Sequence, residues 1–342
     1  MTVKINQIVV VKETREGEGR VALTPKAVTL LVAKDYVVMV ENGAGALSGF
    51  SDLVYIQAGA SMFTLSSKGF PPHSLILRVK RPIKSRELIE NKGLSAETVM
   101  MGFLDPFDVY NEGHMARWQT LGVKTVALEL LPLSSDDPKN AQAAMSRFAG
   151  RLALHDALRR YQGTLPKKVA VFGTGPAAMN AALTARELQL PVQLFGRQER
   201  HRQAVEAAGI IYQVLPINPS SEFYQSDLKD VTIIITAARS VGEKSPLLID
   251  SSSLAILPDN VVLVDLSSGE GGNVTGSKQD QVVIGERGMM IINVSGYPKT
   301  EPKMASEAYA QCMVNLLADV MTSAGEMDLE HPVLCQKRND TA

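Results

Sequence analysis

Short β-branched runs, separated by segments of helical spacing, dominate the first third of the sequence. The runs are residues 7–12, Tyr36–Val40, Ser74–Val79, Glu97–Phe103 and Thr125–Leu130. They are continuous rather than alternating, which is typical of strands buried on both faces of a parallel sheet. Residues Pro25–Ala33, between the first two runs, have the spacing of a helix. The pattern predicts an α/β domain with a mostly parallel sheet.

A second series of the same kind begins near residue 167. Its predicted strands are Lys168–Phe172, Val192–Phe195, Val231–Thr236, Val261–Leu266 and Met290–Val294. The clearest predicted helices between them are Ala177–Leu188 and Gln198–Ala208. This arrangement predicts a second α/β domain with a parallel sheet.

Two longer helices are predicted, one between the two series and one after the second. The first, Ala141–Tyr161, is rich in Ala, Leu and Arg and follows a polar stretch at residues 134–140. The second runs from about Met304 to Ala324, and the segment from Glu326 is expected to form a tail. Helices of this length can bridge domains, so the predicted fold class is α/β, with two Rossmann-like domains joined by long interdomain helices.

Composition narrows the range of functions. The chain has 342 residues, 45% of them hydrophobic and 21% charged, which fits about two globular domains. The net charge of -1 argues against a nucleic-acid partner. The two cysteines, Cys312 and Cys335, have no C-x-x-C spacing, which favours a reducing compartment and argues against a metal site. Apolar runs are too short for a signal peptide or a membrane span, so we expect a cytoplasmic protein without membrane insertion.

A Gly-x-Gly-x-x-Ala motif at residues 173–178 carries the clearest chemistry. It follows a β-branched strand and opens an alanine-rich helix. Gly173 would permit the tight turn, and Gly175 would let the backbone approach a pyrophosphate at the helix N-terminus. Pro176 suits the first helical turn, which continues with Ala177. The motif is weak alone, but the surrounding strand–loop–helix pattern predicts a nicotinamide dinucleotide site.

The end of the next strand indicates which dinucleotide is preferred. NAD sites usually have Asp or Glu there, bonded to the ribose 2′-hydroxyl. This chain has Gly196, followed by Arg197, Arg200 and Arg202. An arginine suits a 2′-phosphate, so NADP is expected over NAD.

Ordered motifs along nearly the whole chain resemble the alanine dehydrogenase / nicotinamide nucleotide transhydrogenase α-subunit family. In chain order they are Arg20-Val21-Ala22-Leu23-Thr24-Pro25, Glu41-Asn42-Gly43-Ala44-Gly45, Ser48-Gly49-Phe50-Ser51-Asp52, Ala58-Gly59-Ala60, Val79-Lys80-Arg81-Pro82, residues 145–153, Val264-Asp265-Leu266, Gly271-Gly272-Asn273 and Ala305-Ser306.

The resemblance implies a discontinuous substrate domain, residues 1–137 with 302–342, around a dinucleotide-binding Rossmann domain, residues 138–301. It also implies a cleft in which the nicotinamide meets a small carboxylate substrate, and we expect a homo-oligomer. By the same resemblance, Arg20 would hold the substrate carboxylate, Lys80 would contact the substrate carbonyl or carboxylate, and Ser146 would touch the cofactor phosphates. Guanidinium–carboxylate pairing and stabilisation of oxyanion charge by lysine fit these roles.

The sequence departs from the family pattern at the proton-handling positions. Asp105 stands where alanine dehydrogenases have a catalytic His, and Gly269 stands at their catalytic Asp, with Glu270 one residue away. Asp105 and Glu270 are therefore the candidate catalytic residues beside Lys80. The Arg-Ala-Gln loop of transhydrogenases is also replaced by other residues between Pro132 and Gln142.

Three functions fit these observations. The first is an NAD(P)-dependent oxidoreductase acting on a 2-oxo acid, an amino acid or a derived imine. The second is a transhydrogenase-like component that passes hydride to a partner's nucleotide. The third is a nucleotide-binding sensor with a degraded active site, which the missing His and Asp favour and the retained Arg20 and Lys80 oppose.

Overall fold

The computed structural model divides the chain into two compact units. One comprises Met1–Met145 with Lys299–Ala342, and the other comprises Ser146–Pro298. The residues described are 1–66, 69–107, 112–216, 221–239, 245–267 and 271–335.

Strands and helices alternate through the first part of the first unit. They are β1 (Thr2–Lys4), β2 (Gln7–Val10), α1 (Pro25–Val32), β3 (Val38–Glu41), α2 (Asp52–Gln57), β4 (Ser61–Phe63), β5 (Ser74–Lys80), α3 (Lys84–Glu90), β6 (Val99–Phe103), α4 (His114–Thr120) and β7 (Lys124–Ala127). Six of the strands form a parallel sheet in the order β4-β3-β2-β5-β6-β7. The order reverses between β2 and β5, which creates the switch point where ligands bind in open α/β sheets.

Helix α5 (Ala141–Arg160) starts in the first unit and ends in the second. Asn140 caps it, because its Oδ1 accepts the N–H of Ala143 at 2.8 Å. The sequence inside the helix contains one weak helix former, Gly150, whose role is a close backbone contact described below.

The second unit repeats the same alternation. Its elements are β8 (Val169–Phe172), α6 (Pro176–Glu187), β9 (Val192–Gly196), α7 (Arg202–Ala207), β10 (Ile211–Val214), α8 (Ser221–Leu228), β11 (Ile233–Thr236), α9 (Ser251–Ile256), β12 (Val262–Asp265), β13 (Val282–Ile284) and β14 (Met290–Ile292). The sheet order is β10-β9-β8-β11-β12-β14-β13, and only β13 is antiparallel to its neighbour. One buried cluster packs α5 and α6 against the sheet, and a second contains Tyr224 and Leu228 of α8.

Two elements close the first unit. They are α10 (Pro302–Val320) and β15 (Glu326–Asp328). Strand β15 pairs antiparallel with β1. The α10 residue Ser306 accepts the N–H of Val21 at 2.9 Å and contacts the Ser48 hydroxyl at 2.8 Å. The C-terminal helix therefore fixes the loop that carries Arg20.

The predicted fold class is confirmed, and the long hydrophobic runs all form strands in the expected order. The described strands that the pattern missed are β1, β4, β10, β13 and β15, each three or four residues long. A run of that length has no measurable period, so only its pairing with a neighbouring strand defines it.

Buried ion pairs connect the sheet of the first unit to α3. Arg78 donates to Glu90 at 2.7 Å, and the two side chains are 2% and 1% exposed. Arg86 contacts Glu90 at 2.7 Å and Glu41 at 2.6 Å. The charges of these four residues therefore compensate one another, as desolvated charges require.

We expect Glu90→Ala to reduce the free energy of unfolding by about 3–5 kcal/mol, because it leaves the Arg78 guanidinium buried without its counter-charge. Chemical denaturation followed by circular dichroism measures the change. Glu97→Ala is the matched control, since Glu97 is half-exposed and faces His73 at 3.5 Å. Equal effects of the two substitutions would contradict the role given to the Arg78–Glu90 pair.

Candidate active site

Arg20 lies in the loop after β2 and is only 3% exposed. Its Nε donates to Oε1 of Glu18 at 2.7 Å, and its Nη2 donates to Oε2 of the same carboxylate. Burial would raise the pKa of Glu18, but the hydrogen bonds and charge of Arg20 outweigh burial and lower it. Glu18 is thus ionised and orients Arg20, and Nη1 takes no part in this pair. The two-pronged contact expected for a substrate is made here within the chain.

Lys80 ends β5 and is partly buried. Among the described residues it makes no ion pair, and its Nζ lies 5.1 Å from the ring centroid of Phe103. Burial lowers the pKa of Lys80, and the nearby cation of Arg20 lowers it further, while Glu129 and Glu18 oppose the shift. The structure therefore places Lys80 and Arg20 in one electrostatic neighbourhood.

Two carboxylates that sequence analysis missed belong to the same neighbourhood. Glu13 accepts the N–H of Val79 at 2.6 Å and that of Lys80 at 3.2 Å, which secures the end of β5. Burial raises the pKa of Glu13 to about 7, against the opposing charge of Arg78 and the bonds from the strand. Glu129 follows β7, and its Oε1 accepts the N–H of Asp105 at 2.8 Å. Burial raises the pKa of Glu129 as well.

One topological signal could have identified these residues from sequence. Glu13, Lys80, Asp105 and Glu129 each lie at or just beyond the carboxyl end of a strand, namely β2, β5, β6 and β7. Carboxyl ends of parallel strands share one edge of the sheet, where ligand sites of α/β folds form. We define these four residues, with Glu18 and Arg20, as the charged edge cluster.

Asp105 lies in this cluster, but its carboxylate is paired. Its Oδ2 accepts a bond from Nε of Arg81 at 3.2 Å, and Arg81 also contacts Glu112 at 2.7 Å. Arg81 occupies the place of Glu in the family's Val-Lys-Glu-Pro, and Asp105 occupies that of His. The chain thus departs from the family pattern at both members of this ion pair. Glu270, the other proton-handling candidate, lies outside the described residues.

The glycine loop of the second unit has the geometry of a dinucleotide loop. Gly173 has φ +119°, and a Cβ there would lie 2.7 Å from the carbonyl oxygen of Ala237. Gly175 is the N-cap of α6, no side chain caps that helix, and Pro176 starts it. A Cβ on Gly175 would meet no protein atom within 4 Å. The N–H groups at the start of α6, which include that of Ala177, thus have no side-chain cap, as at helix N-termini that bind phosphates.

Helix α5 supports the start of α6 through Gly150. A Cβ at Gly150 would lie 1.9 Å from the carbonyl oxygen of Ala177, so only glycine allows the two backbones to approach. Ser146, the predicted phosphate contact, lies one turn before Gly150 on α5 and is partly buried. No sequence pattern singles out Gly150, because its constraint comes from a tertiary contact.

The end of β9 has no room for a side chain. A Cβ on Gly196 would lie 2.5 Å from Thr174 Cγ2 and 2.5 Å from the hydroxyl of Tyr212. That hydroxyl donates to the carbonyl oxygen of Gln198 at 2.7 Å, so Tyr212 is fixed in place. Tyr212 therefore excludes the carboxylate that NAD sites usually have at this strand end.

The three arginines after Gly196 differ in their surroundings. Arg197 and Arg200 are exposed, and the described residues give Arg197 no ion pair. Arg202 is bound to Glu199 and Glu206 and stacks on Tyr212 at 5.4 Å. Arg197 is thus available to an added anion, and Arg202 is committed to its neighbours.

Asp265 and Asn273, two members of the family motifs, have structural roles. Asp265 is fully buried and accepts the N–H groups of Ser267 and Asn273 at 2.9 and 3.0 Å. The Asn273 amide donates to the carbonyl oxygens of Ala238 and Pro246. Together they hold the carboxyl ends of β11 and β12.

Metal-binding and membrane-spanning features are absent from the part of the chain that the structure describes. It contains no group of three or more His, Cys, Asp or Glu side chains placed to hold a metal ion. No described helix has both the length and the apolar character that a membrane span requires.

Comparisons with known proteins bear on this site. The N-terminal domain model of the family described as alanine dehydrogenase/PNT matches residues 9–149, and its C-terminal domain model matches residues 140–339. The first part of the NAD(P) transhydrogenase alpha subunit of Rickettsia prowazekii is 25% identical, over 91% of this chain and 88% of that protein. Alanine dehydrogenase 1 of Staphylococcus aureus is 26% identical, over 92% of this chain and 87% of that protein.

Longer relatives and solved structures agree with these matches. The chain spans 64% of the NAD(P) transhydrogenase subunit alpha of Haemophilus influenzae, at 26% identity over 90% of this chain. The crystal structure of transhydrogenase from Sinorhizobium meliloti superposes with a TM-score of 0.85, at 26% identity and 96% coverage of each chain. The resemblance inferred from the motifs is confirmed, and the chain belongs to the alanine dehydrogenase/PNT family.

Proposed function

We propose that this protein is an NAD(P)-dependent oxidoreductase that transfers hydride between a nicotinamide nucleotide and a small 2-oxo acid, amino acid or derived imine. The observation that carries the proposal is the ammonium of Lys80, partly buried beside Arg20 with no ion pair among the described residues. Lys80 has no ion pair of its own in the described part of the chain, so a carboxylate ligand satisfies it, and Nη1 of Arg20, which takes no part in the pair with Glu18, can bond the same carboxylate. The names of the relatives, alanine dehydrogenase and NAD(P) transhydrogenase, support the same chemistry.

The residues of the second unit fit a nicotinamide dinucleotide. The open face of Gly175 and the uncapped start of α6 suit its pyrophosphate, with Pro176, Ala177 and Ser146 beside or near that loop. We propose that NADP is preferred over NAD, because Tyr212 excludes a carboxylate at Gly196 and Arg197 is available to the 2′-phosphate. When bound, the nucleotide supplies or accepts the hydride.

The first unit supplies the groups that bind and polarise the substrate. In this proposal Arg20, oriented by Glu18, bonds the substrate carboxylate. Lys80 donates to the oxygen on which negative charge develops, where a pre-oriented cation lowers the barrier most. We also propose that residues 1–137 with 302–342 form the substrate domain and residues 138–301 the dinucleotide-binding domain.

A second candidate function is that of a transhydrogenase component, because the chain covers 88% of the Rickettsia transhydrogenase alpha protein. In that case the protein would pass hydride to a nucleotide on a partner chain rather than to a carboxylate substrate. Oxidation of NADH and NADPH against a panel of 2-oxo acids, with and without ammonium, distinguishes the two functions. Turnover with a 2-oxo acid supports the first, and hydride exchange only between nucleotides supports the second.

Gly175→Asp is expected to abolish binding of both nucleotides, because it places a negative charge where the pyrophosphate would lie. The substitution should leave the fold intact, since a Cβ there meets no protein atom. Isothermal titration calorimetry with NADPH and NADH measures the loss. Ser251→Asp, which adds the same charge at the start of α9, is the control. Unchanged binding in Gly175→Asp would exclude this loop as the nucleotide site.

Arg197→Ala should weaken NADP(H) by about 1.5–3 kcal/mol, the contribution of a charged hydrogen bond, and should leave NAD(H) binding nearly unchanged. The dissociation constants of both nucleotides, measured for both proteins, provide the test. Arg200→Ala serves as a neighbouring control. A wild-type protein that binds NAD(H) more tightly than NADP(H) would refute the proposed preference.

The two substrate-binding substitutions should separate in steady-state kinetics. Arg20→Ala should raise KM strongly, because it removes a carboxylate contact used in both the ground state and the transition state. Lys80→Ala should lower kcat more, because Lys80 stabilises charge that develops during the reaction. Since Arg20→Ala leaves Glu18 buried without its partner, the double variant Glu18→Gln/Arg20→Ala controls for misfolding. Near-native kinetics of all three variants would exclude Arg20 and Lys80 from the substrate site, and a lack of turnover by the wild type with every 2-oxo acid would favour the sensor hypothesis.

A further inference from the structure

Glu129 has a carboxylate oxygen that no other group in the described structure uses. Its Oε1 accepts the N–H of Asp105 at 2.8 Å. Its Oε2 is inaccessible to solvent and has no hydrogen-bond partner. An unpaired buried carboxylate oxygen is costly, so its presence at the carboxyl edge of the sheet calls for a ligand or a proton.

Lys80 is the complementary group, a cation that makes no ion pair among the described residues. The charges of Lys80 and Glu129 influence one another, yet no contact within 4 Å joins them. A small molecule with a carbonyl or amino group can satisfy an ammonium on one side and a carboxyl group on the other. In the part of the chain that the structure describes, both residues therefore lie without an ion-pair partner at the carboxyl edge of one sheet, where ligand sites of α/β folds form.

The other carboxylates of the charged edge cluster are already committed. Both oxygens of Glu13 accept backbone N–H groups of β5. Glu18 is held by Arg20, and Asp105 is held by Arg81. Of the carboxylates described in the cluster, Glu129 alone offers an oxygen without a partner.

We propose that Glu129 is the acid–base residue of this site, and that its Oε2 exchanges a proton with the reacting oxygen or nitrogen of the substrate. Glu129 is anchored to the backbone of Asp105, the residue that occupies the place of the family's catalytic His. The carboxyl group of Glu129 therefore takes over a role that the Asp105 side chain, paired with Arg81, does not fill. This inference rests on the proposed oxidoreductase function.

A reduction at this site transfers one hydride and one proton to the substrate. The carbonyl carbon of a 2-oxo acid receives the hydride that the reduced nicotinamide nucleotide supplies, and the carbonyl π bond breaks. The carbonyl oxygen takes the proton from Oε2, which leaves Glu129 as a carboxylate and the product as a 2-hydroxy acid. An imine substrate takes the same proton on nitrogen and gives an amino acid. Oε2 is inaccessible to solvent in the structure, so Glu129 regains its proton from water in a conformation that exposes this oxygen.

Three charged or titratable groups face Glu129 from the elements around it. They are Lys80 at the end of β5, Asp105 after β6 and Tyr309 of α10. Burial raises the pKa of Glu129, and Asp105 adds to the rise while Lys80 opposes it. A raised pKa keeps the acid form present to higher pH, so reduction should slow as pH increases through that value.

Oxamate, a 2-oxo acid analogue that is not reduced, tests the inference without turnover. In the presence of saturating reduced nucleotide, its dissociation constant for the wild type should rise about tenfold per pH unit above the pKa of Glu129. Glu129→Gln keeps an oxygen for the Asp105 N–H but has no acid proton. Its oxamate binding should be weaker at low pH and should lose this pH dependence.

The surface variant Glu97→Gln is the matched control, and it should retain the wild-type pH dependence. With an active 2-oxo acid, Glu129→Gln should lower kcat about 10²–10⁴-fold with a smaller change in KM, and Glu129→Asp should restore part of the rate. A pH dependence that persists in Glu129→Gln would overturn the role of Glu129 and leave the proposed function standing. Absence of oxamate binding by the wild type would overturn both.

Discussion

The cost of burying charge governs the first unit. Strands of a parallel sheet are covered on both faces, so polar groups are placed at the strand ends, and there they are partly desolvated. In the ion pairs Arg78–Glu90 and Arg20–Glu18, each buried charge is compensated by an opposite charge of the protein. Lys80 makes no ion pair, and Oε2 of Glu129 has no hydrogen-bond partner, among the described residues, and these unmet requirements are the basis for the roles proposed for them.

The second unit depends on close approach of backbones rather than on charge. Gly173, Gly150 and Gly196 lie where a Cβ would overlap the protein itself, and Gly175 lies where a Cβ would project into open space. The first three glycines therefore shape the loop, the helix packing and the strand end. Gly175 differs because its constraint would come from a bound phosphate. Glycine is therefore required in this unit for two different physical reasons, close packing within the protein and space for a ligand.

Much of the fold and part of the candidate site were predictable from sequence. The strands β2, β3, β5, β6 and β7, the glycine loop and α5 all follow from the hydrophobic pattern and from the spacing of glycines. The short strands were not predictable, because β1 and β15 exist only through their pairing with each other across the chain. Gly150 and Tyr212 were missed for a related reason, since each acts on a residue distant in sequence. Glu13 and Glu129 could have been suspected from their position after strands, but their contacts required the structure.

The ion pair between Arg81 and Asp105 connects these observations. By sequence, Asp105 takes the position of the family's catalytic His, and Arg81 takes the position of Glu in the motif that contains Lys80. The structure joins the two as one ion pair, so the two departures compensate each other electrostatically. Loss of function alone does not explain such compensation, nor a partly buried Lys80 that makes no ion pair among the described residues. The pairing of Arg81 with Asp105 also holds the backbone N–H that positions Glu129. The departures from the family pattern are therefore consistent with the proposed site, in which Glu129 at the end of β7 carries the proton in place of the residue after β6.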